Sequence, residues 1–260
     1  MPKPPQTDAP PAHELLLAIS AQQGTLVPAD ETAIRALRVR SHALDAGEDV
    51  VRQGDRPDVA VIVLRGMLAR YHTLEGGERQ YISLHIAGDM PDVQSLLLEM
   101  TDHSLCAVDA AEIGVIAHDE LHHLFLRRPG LCFAFWRITL IDAAIFRQAV
   151  TNNSARPQTA RLAHLLCEQY YRAREAGLAP DRTASLPMTQ TQIGQALGMS
   201  LVSVNRALKK LRRASLVELR RGTLTVLDWS ALQQAAGFDP GYLHAAKTAV
   251  ARTRFGGQGG

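Results

Sequence analysis

The stretch Met188–Leu211, MTQTQIGQALGMSLVSVNRALKKL, reads as two helices joined by a tight turn, the second ending in cations. Thr189 is placed to cap a first helix whose inward positions are Ile193, Ala196 and Leu197, and Gly198 supplies a left-handed residue at its end. Ser200 then caps a second helix that buries Val204, Leu208 and Leu211 and leaves Leu201, Ser203, Asn205, Arg206 and Lys209 outside. This is the pattern of a helix-turn-helix for duplex DNA. The N-terminal half of such a second helix enters the major groove, so Ser203 and Arg206 are expected at base edges, with Leu201, Val202 and Asn205 beside them.

The charge distribution supports that reading. Arg206, Lys209, Lys210, Arg212 and Arg213 are followed by Arg220 and Arg221, with only Glu218 against them. Residues 157–230 hold eleven Lys and Arg against five Asp and Glu, a local excess of +6 in a chain of formal net charge +2. Cations so concentrated suit phosphate contacts, whereas Arg212-Arg213 alone would suit a solvated helix end. Downstream, Leu216–Leu219 and Thr223–Leu227 flank Arg220-Arg221-Gly222, predicting a hairpin with cations at its tip. Met188–Leu227 is thus expected to form a winged helix-turn-helix. Its preceding helix is expected at Arg161–Glu175, with Leu162, Leu165, Leu166 and Tyr170 inward and Pro157 at its start.

With 260 residues, the chain has room for two modest domains of ordinary globular composition. No uninterrupted apolar run approaches the roughly 20 residues that span a bilayer, and Met1–Pro11 lacks the basic-then-apolar order of a secretion signal. A cytoplasmic protein with no membrane partner is expected. Cys106, Cys132 and Cys167 are too widely spaced for a disulfide framework or a CxxC metal site, and each is expected to be a small buried apolar residue.

Before the helix-turn-helix, Gly47, Gly54, Gly66, Gly76-Gly77 and Gly88 break strand-like runs: Val59–Leu64, Met67–His72, Gln80–Ile86 and, later, Cys106–Ile116. These predict a β-roll. Leu131–Val150 then reads as a helix with Leu131, Ala134, Ile138, Ile141 and Ile145 spaced three and four apart, the expected seam of a homodimer. Phe133, Phe135 and Trp136 are expected to widen its apolar surface toward the β-roll. The fold class expected is α+β: an N-terminal extension, disordered or helical (1–27), a jelly-roll-like β-roll (28–126), a dimerisation helix (127–156), a winged helix-turn-helix (157–230) and a C-terminal extension (231–260). In that extension, Leu232, Phe238 and Tyr242 are expected to pack back on the DNA-binding domain, with Phe255–Gly260 frayed.

On Ala46-Gly47-Glu48, Gly54-Asp55, Gly66 and Gly88-Asp89 in the roll, and Thr191–Ser200 with Val204-Asn205-Arg206 at the motif, residues 30–230 resemble the Crp/Fnr family of bacterial transcription regulators. The resemblance implies a cyclic-nucleotide-binding-like domain, a homodimer on an inverted-repeat operator and RNA polymerase as a partner. In members that bind cyclic AMP, an Arg followed by Ser or Thr neutralises the phosphate. Here Gly88–Ser95 and Thr101–Ser104 contain no arginine, His103 stands at its place, and Asp102 beside it repels a phosphate. Asp92, His103 and Ser104 are therefore the expected pocket of an unidentified effector that is not cyclic AMP. An iron–sulfur cluster takes four thiolates and the chain has three cysteines. At the recognition helix, Leu201 and Val202 replace the family's frequent glutamate and first arginine, and only Arg206 carries over, so the operator is expected to differ from the best-known boxes.

His118 and His122 lie at i and i+4, but Asp119 stands where the protease zinc motif has glutamate, so no metal site is expected. No nucleophile–base pair stands out, and the chain is not expected to be an enzyme. The competing reading is a ligand- or metal-binding sensor acting mainly through protein contacts.

Overall fold

In a computed structural model, the described residues 12–245 form eight α-helices and ten strands. Expectations for residues 1–11 and for Phe255–Gly260 lie outside them. Helices α1 (Ala12–Gln23) and α2 (Pro28–Arg35) precede a roll of two antiparallel sheets. One sheet has the order β1 (Arg40–Leu44), β7 (Ala111–Ala117), β3 (Val59–Arg65). The other runs β2 (Asp49–Val51), β6 (Ser104–Ala107), β4 (Met67–Thr73), β5 (Arg79–Ile86). The four runs read from the sequence became β3, β4, β5 and the β6–β7 pair. β1 and β2 were missed: Arg40–Ala43 stay exposed and carry no alternating apolar signal.

Strand alternation explains the packing. Leu68 on β4 and Leu105 and Ala107 on β6 fill the inside of the roll with Val61, Val63 and Ile113. Met67, Ala69 and Tyr71 on β4, Leu84 and Ile86 on β5, and Cys106 on β6 point out, into one core with the C-terminal domain. The four-stranded sheet is thus covered on both faces.

Helix α3 (His118–Arg127) leads into α4 (Pro129–Ala155), which connects the roll to the C-terminal domain. That domain comprises α5 (Gln158–Glu175), β8 (Thr183–Ser185), α6 (Gln190–Leu197), α7 (Leu201–Arg213), β9 (Val217–Arg220), β10 (Thr223–Val226) and α8 (Trp229–Ala236). Its strands pair in the order β8-β10-β9. The C-terminal extension packs back on α5, with Leu232 and Phe238 buried and the Tyr242 hydroxyl donating to Glu168 at 2.6 Å.

Helix α4 departs from the reading of its sequence. Its most apolar window has a mean hydropathy of 1.4, so by length and composition alone it is long and apolar enough to cross a bilayer, although Arg137, Asp142 and Arg147 interrupt its apolar run. Asp142 near its middle speaks against such a span, because its carboxylate pairs with the buried Arg70 of β4. The expected seam also faces inward. Leu131 and Ala134 are buried in the chain's own core, and Ile138, Ile141 and Ile145 turn toward a crevice between the domains. Phe135 packs on Phe125 as expected of a roll-facing residue, whereas Phe133 and Trp136 point outward with Leu140, at 65%, 57% and 55% exposure. The physical reason is competition: two domains of the same chain cover one side of α4, and only the other is left for a partner.

His164 on α5 gives the fold a pH signature. It lies against Phe238 and Tyr242, ring centroids 5.3 and 6.0 Å away, and burial, helped by the charge of Arg156, pushes its pKa down to about 4. The unfolded chain takes up this proton near pH 6.5 and the folded chain only near pH 4. Stability is therefore expected to fall by up to about 3 kcal/mol as pH drops through that window. Urea unfolding of His164→Gln at pH 7 and pH 4.5 should show a flatter acid limb than the unmodified chain.

Candidate nucleic-acid interface and sensory pocket

The two caps of the motif form as their residue types dictate. The Thr189 side chain accepts from the Gln192 amide and Gln192 bonds back to Thr189, closing a capping box at the start of α6. The Ser200 side chain accepts from the Ser203 amide at the start of α7. Between them, Gly198 adopts φ 60°, and the Met199 amide donates to Gly194 O at 2.9 Å to close the turn. A Cβ on Gly194 would lie 2.5 Å from the Met199 carbonyl oxygen. Gly194→Ala is therefore expected to cost about 1–3 kcal/mol by overpacking a turn that cannot yield, measurable by urea unfolding.

Val204, Ala207, Leu208 and Leu211 bury one side of α7, and Leu201, Val202, Asn205, Arg206, Lys209 and Lys210 stand exposed on its remaining surface. Ser203 is half-buried, and the Asn205 amide donates to Leu201 O at 3.1 Å, a bond it would give up to reach a base. Arg212, grouped with the cations in the sequence, instead ties α7 to the wing by donating to Leu219 O. The wing is a two-residue hairpin: Arg221 and Gly222 take φ 50° and 76°, which puts the Arg221 side chain at an exposed tip. Thr189, Ser200 and Arg221 are all exposed.

Docking of α6 on the roll was not legible in the sequence. Gln80 of β5 donates to Gln195 O, Gln192 donates to Val108 O, and Arg172 of α5 donates to Leu84 O while pairing with Asp89. These contacts hold α5 and α6 against the roll, while the outer surface of α7 stays exposed.

Asp92 and His103 come together, both buried, but Ser104 does not join them: it alternates with the inward Leu105 on β6 and so faces out beside its cross-strand partner Tyr71. His103 Nε2 lies 3.3 Å from Asp92 Oδ1, and its Nδ1 bonds Asp102 at 2.7 Å, which holds the Asp102 carboxyl below its ordinary range. Ser104 Oγ accepts from the Gln53 amide at 3.0 Å. Sequence reasoning missed a cation here. Arg70, 2% exposed, enters from β4, pairs with Asp142 and donates to Pro91 O. Its charge is thus already committed.

The His118 and His122 rings lie 6.4 Å apart, with His118 bonded to Ser95 Oγ, and no three metal-ligating side chains cluster among the described residues. Cys106 and Cys167 are buried as expected, with thiols pushed by burial up to about 11 and about 12, whereas Cys132 is exposed.

A β-roll joined through a long helix to a winged helix-turn-helix with an open recognition helix defines a class of DNA-binding regulators. A cyclic nucleotide-binding domain model matches residues 41–128, and a Crp-like helix-turn-helix domain model matches residues 160–235. The chain belongs to the Crp/Fnr family of transcription regulators. It is 24% identical over 208 residues to the transcriptional activator protein FnrA of Stutzerimonas stutzeri, covering 80% of this chain and 85% of that one. It is 22% identical over 198 residues to the fumarate and nitrate reduction regulatory protein of Escherichia coli, covering 76% and 79%. Among solved structures, FixK2 from Bradyrhizobium japonicum shares the fold with a TM-score of 0.69 at 19% identity, over 76% of this chain and 98% of that one.

Proposed function

We propose that this regulator binds an inverted-repeat operator as a homodimer and that an effector other than cyclic AMP controls it. The observation that supports specific DNA binding is the uncovered face of α7, on which Arg206 and Lys209 stand exposed beside Leu201 and Val202. Arg206 has the reach and donors for a guanine edge, and the two apolar residues suit thymine methyls. Lys209, Lys210 and Arg221 are assigned to phosphates. Asn205, Ser203, Ser200 and Thr189 complete the interface.

The homodimer is proposed to form on the outward face of α4, where Phe133, Trp136 and Leu140 stay exposed among the described residues. The Leu131–Ile145 stripe is turned toward its own subunit, with Leu131 and Ala134 buried and Ile138, Ile141 and Ile145 lining the crevice, and is not proposed as the seam. Asp92 and His103 remain the proposed sensory pocket, without Ser104, closed by their own contact and with Arg70 bonded next to Asp92 at Pro91 O. A cyclic phosphate would have to break an existing ion pair to gain a cation. The protein is proposed to act in the cytoplasm, without catalysis, through RNA polymerase wherever its operators adjoin promoters.

Arg206→Ala is expected to weaken operator binding by about 1–3 kcal/mol, roughly 5- to 150-fold, and to relax preference at one base position. Lys210→Ala should weaken operator and random duplex alike. Fluorescence anisotropy on both duplexes distinguishes the two, and equal losses everywhere for Arg206→Ala would remove it from base readout.

A further inference from the structure

A crevice of about 200 Å³ lies where the sensory roll, α1, α4 and α5 meet, apart from the self-paired pocket inside the roll. Its walls are largely apolar, built by Leu15 and Ile19 of α1, Ile138, Ile141 and Ile145 of α4, and Leu243. The three isoleucines are the part of the expected dimer seam that the fold leaves only half-buried, so they line open volume rather than a packed core.

Polar groups are gathered at one place on this wall. Arg172 has its guanidinium committed to Leu84 O and Asp89. Asp142 is committed to Arg70, and Glu175 to Arg174. His85 differs. Its side chain is 5% exposed, its Nε2 is bonded to Ser83 Oγ at 2.8 Å, and its Nδ1 stands 4.0 Å from Asp89 without a hydrogen bond among the described residues. Burial beside Arg70 and Arg172 holds the imidazole neutral. A neutral ring offers either a donor or an acceptor at Nδ1, according to its tautomer, and a hydroxyl group can answer both. The three carboxylates that line the crevice, Asp89, Asp142 and Glu175, are each paired with an arginine, so among the described residues no uncommitted cation is left there to offset the lost hydration of an anionic ligand.

We propose that this interdomain crevice binds a neutral molecule of about one ring bearing a hydroxyl, a small phenol or cyclic alcohol, with its apolar body against Ile138, Ile141 and Ile145 and its hydroxyl on His85. The size follows from volume, since an apolar cavity of about 150 Å³ takes up benzene. The walls belong to both domains, so an occupant there bears on how the DNA-binding domain sits against the roll. That regulatory consequence rests on the proposed DNA binding; occupancy does not.

Para-cresol and benzoate, matched in size and opposite in charge, are the probes. Calorimetry on the full chain at neutral pH should give saturable one-to-one binding of para-cresol and at least tenfold weaker binding of benzoate. Ile141→Trp, which fills the crevice, should abolish the cresol signal without lowering the melting temperature, and Ala18→Leu, at a residue of α1 that also lines the crevice, provides a second filling variant should Ile141→Trp fail to fold. His85→Phe should weaken cresol more than toluene. No saturable cresol binding, equal binding of benzoate, or cresol binding that survives both filling variants would overturn the site. Operator affinity, measured separately with and without cresol, should change at least threefold; a chain that binds cresol but no duplex would keep the site and reject the DNA-binding reading.

Discussion

Asp142→Leu is expected to destabilise the folded chain by about 3–5 kcal/mol, the range for stripping one partner from a buried ion pair. Arg70 is 2% exposed, and its Nε already has no partner. Without Asp142 its charge would rest on Pro91 O and on Gln94 at 3.5 Å. Removing both charges costs less than removing one, because apolar side chains of similar volume avoid the desolvation. Arg70→Met with Asp142→Leu should thus recover much of the loss, and a double-mutant cycle from urea unfolding would show strong coupling. Additive losses would mean that the two residues act independently and that the roll is not pinned to α4 through them.

Trp136→Glu and Leu140→Glu are expected to leave the monomer fold nearly unchanged and to abolish the dimer at micromolar concentration. Both side chains already meet solvent within one chain, so a carboxylate there costs little until a second copy covers it. Operator affinity should fall on the order of a hundredfold or more, because each half-site would then be held by one domain alone. Ile141→Glu should behave differently, losing stability as well, since that residue faces the interdomain crevice. Sedimentation together with thermal unfolding separates the cases. An intact dimer in both outward variants would place the interface off this face.

How much could be read in the chain depended on whether the signal was local. Caps, turn glycine and periodicity at Thr189–Leu211 are set by neighbours within a few residues, and they reappear in α6 and α7 nearly position for position. The hairpin at Arg221-Gly222 is of the same kind. The face of α4 was not legible, because a stripe at Leu131–Ile145 looks the same whether a second copy or the chain's own domains cover it. The sensory pocket was half legible. Asp92 and His103 come from one short stretch of sequence, whereas Arg70 arrives from β4 to bond Pro91 O beside them and to pair with Asp142 of α4, an arrangement that exists only in three dimensions. Ser83 and His85 alternate with the apolar Ile82, Leu84 and Ile86 along β5, yet both are buried, because β5 is covered on both faces.

Selection of bound duplexes from a randomised pool, at physiological salt, tests sequence-specific recognition through α7 most directly. The account predicts enrichment of one inverted repeat with half-sites about 10–10.5 base pairs apart, centre to centre, or a multiple of that spacing. It further predicts that Arg206→Ala loses preference at one symmetric pair of positions. A pool that stays random, or an unchanged motif with Arg206→Ala, would contradict it.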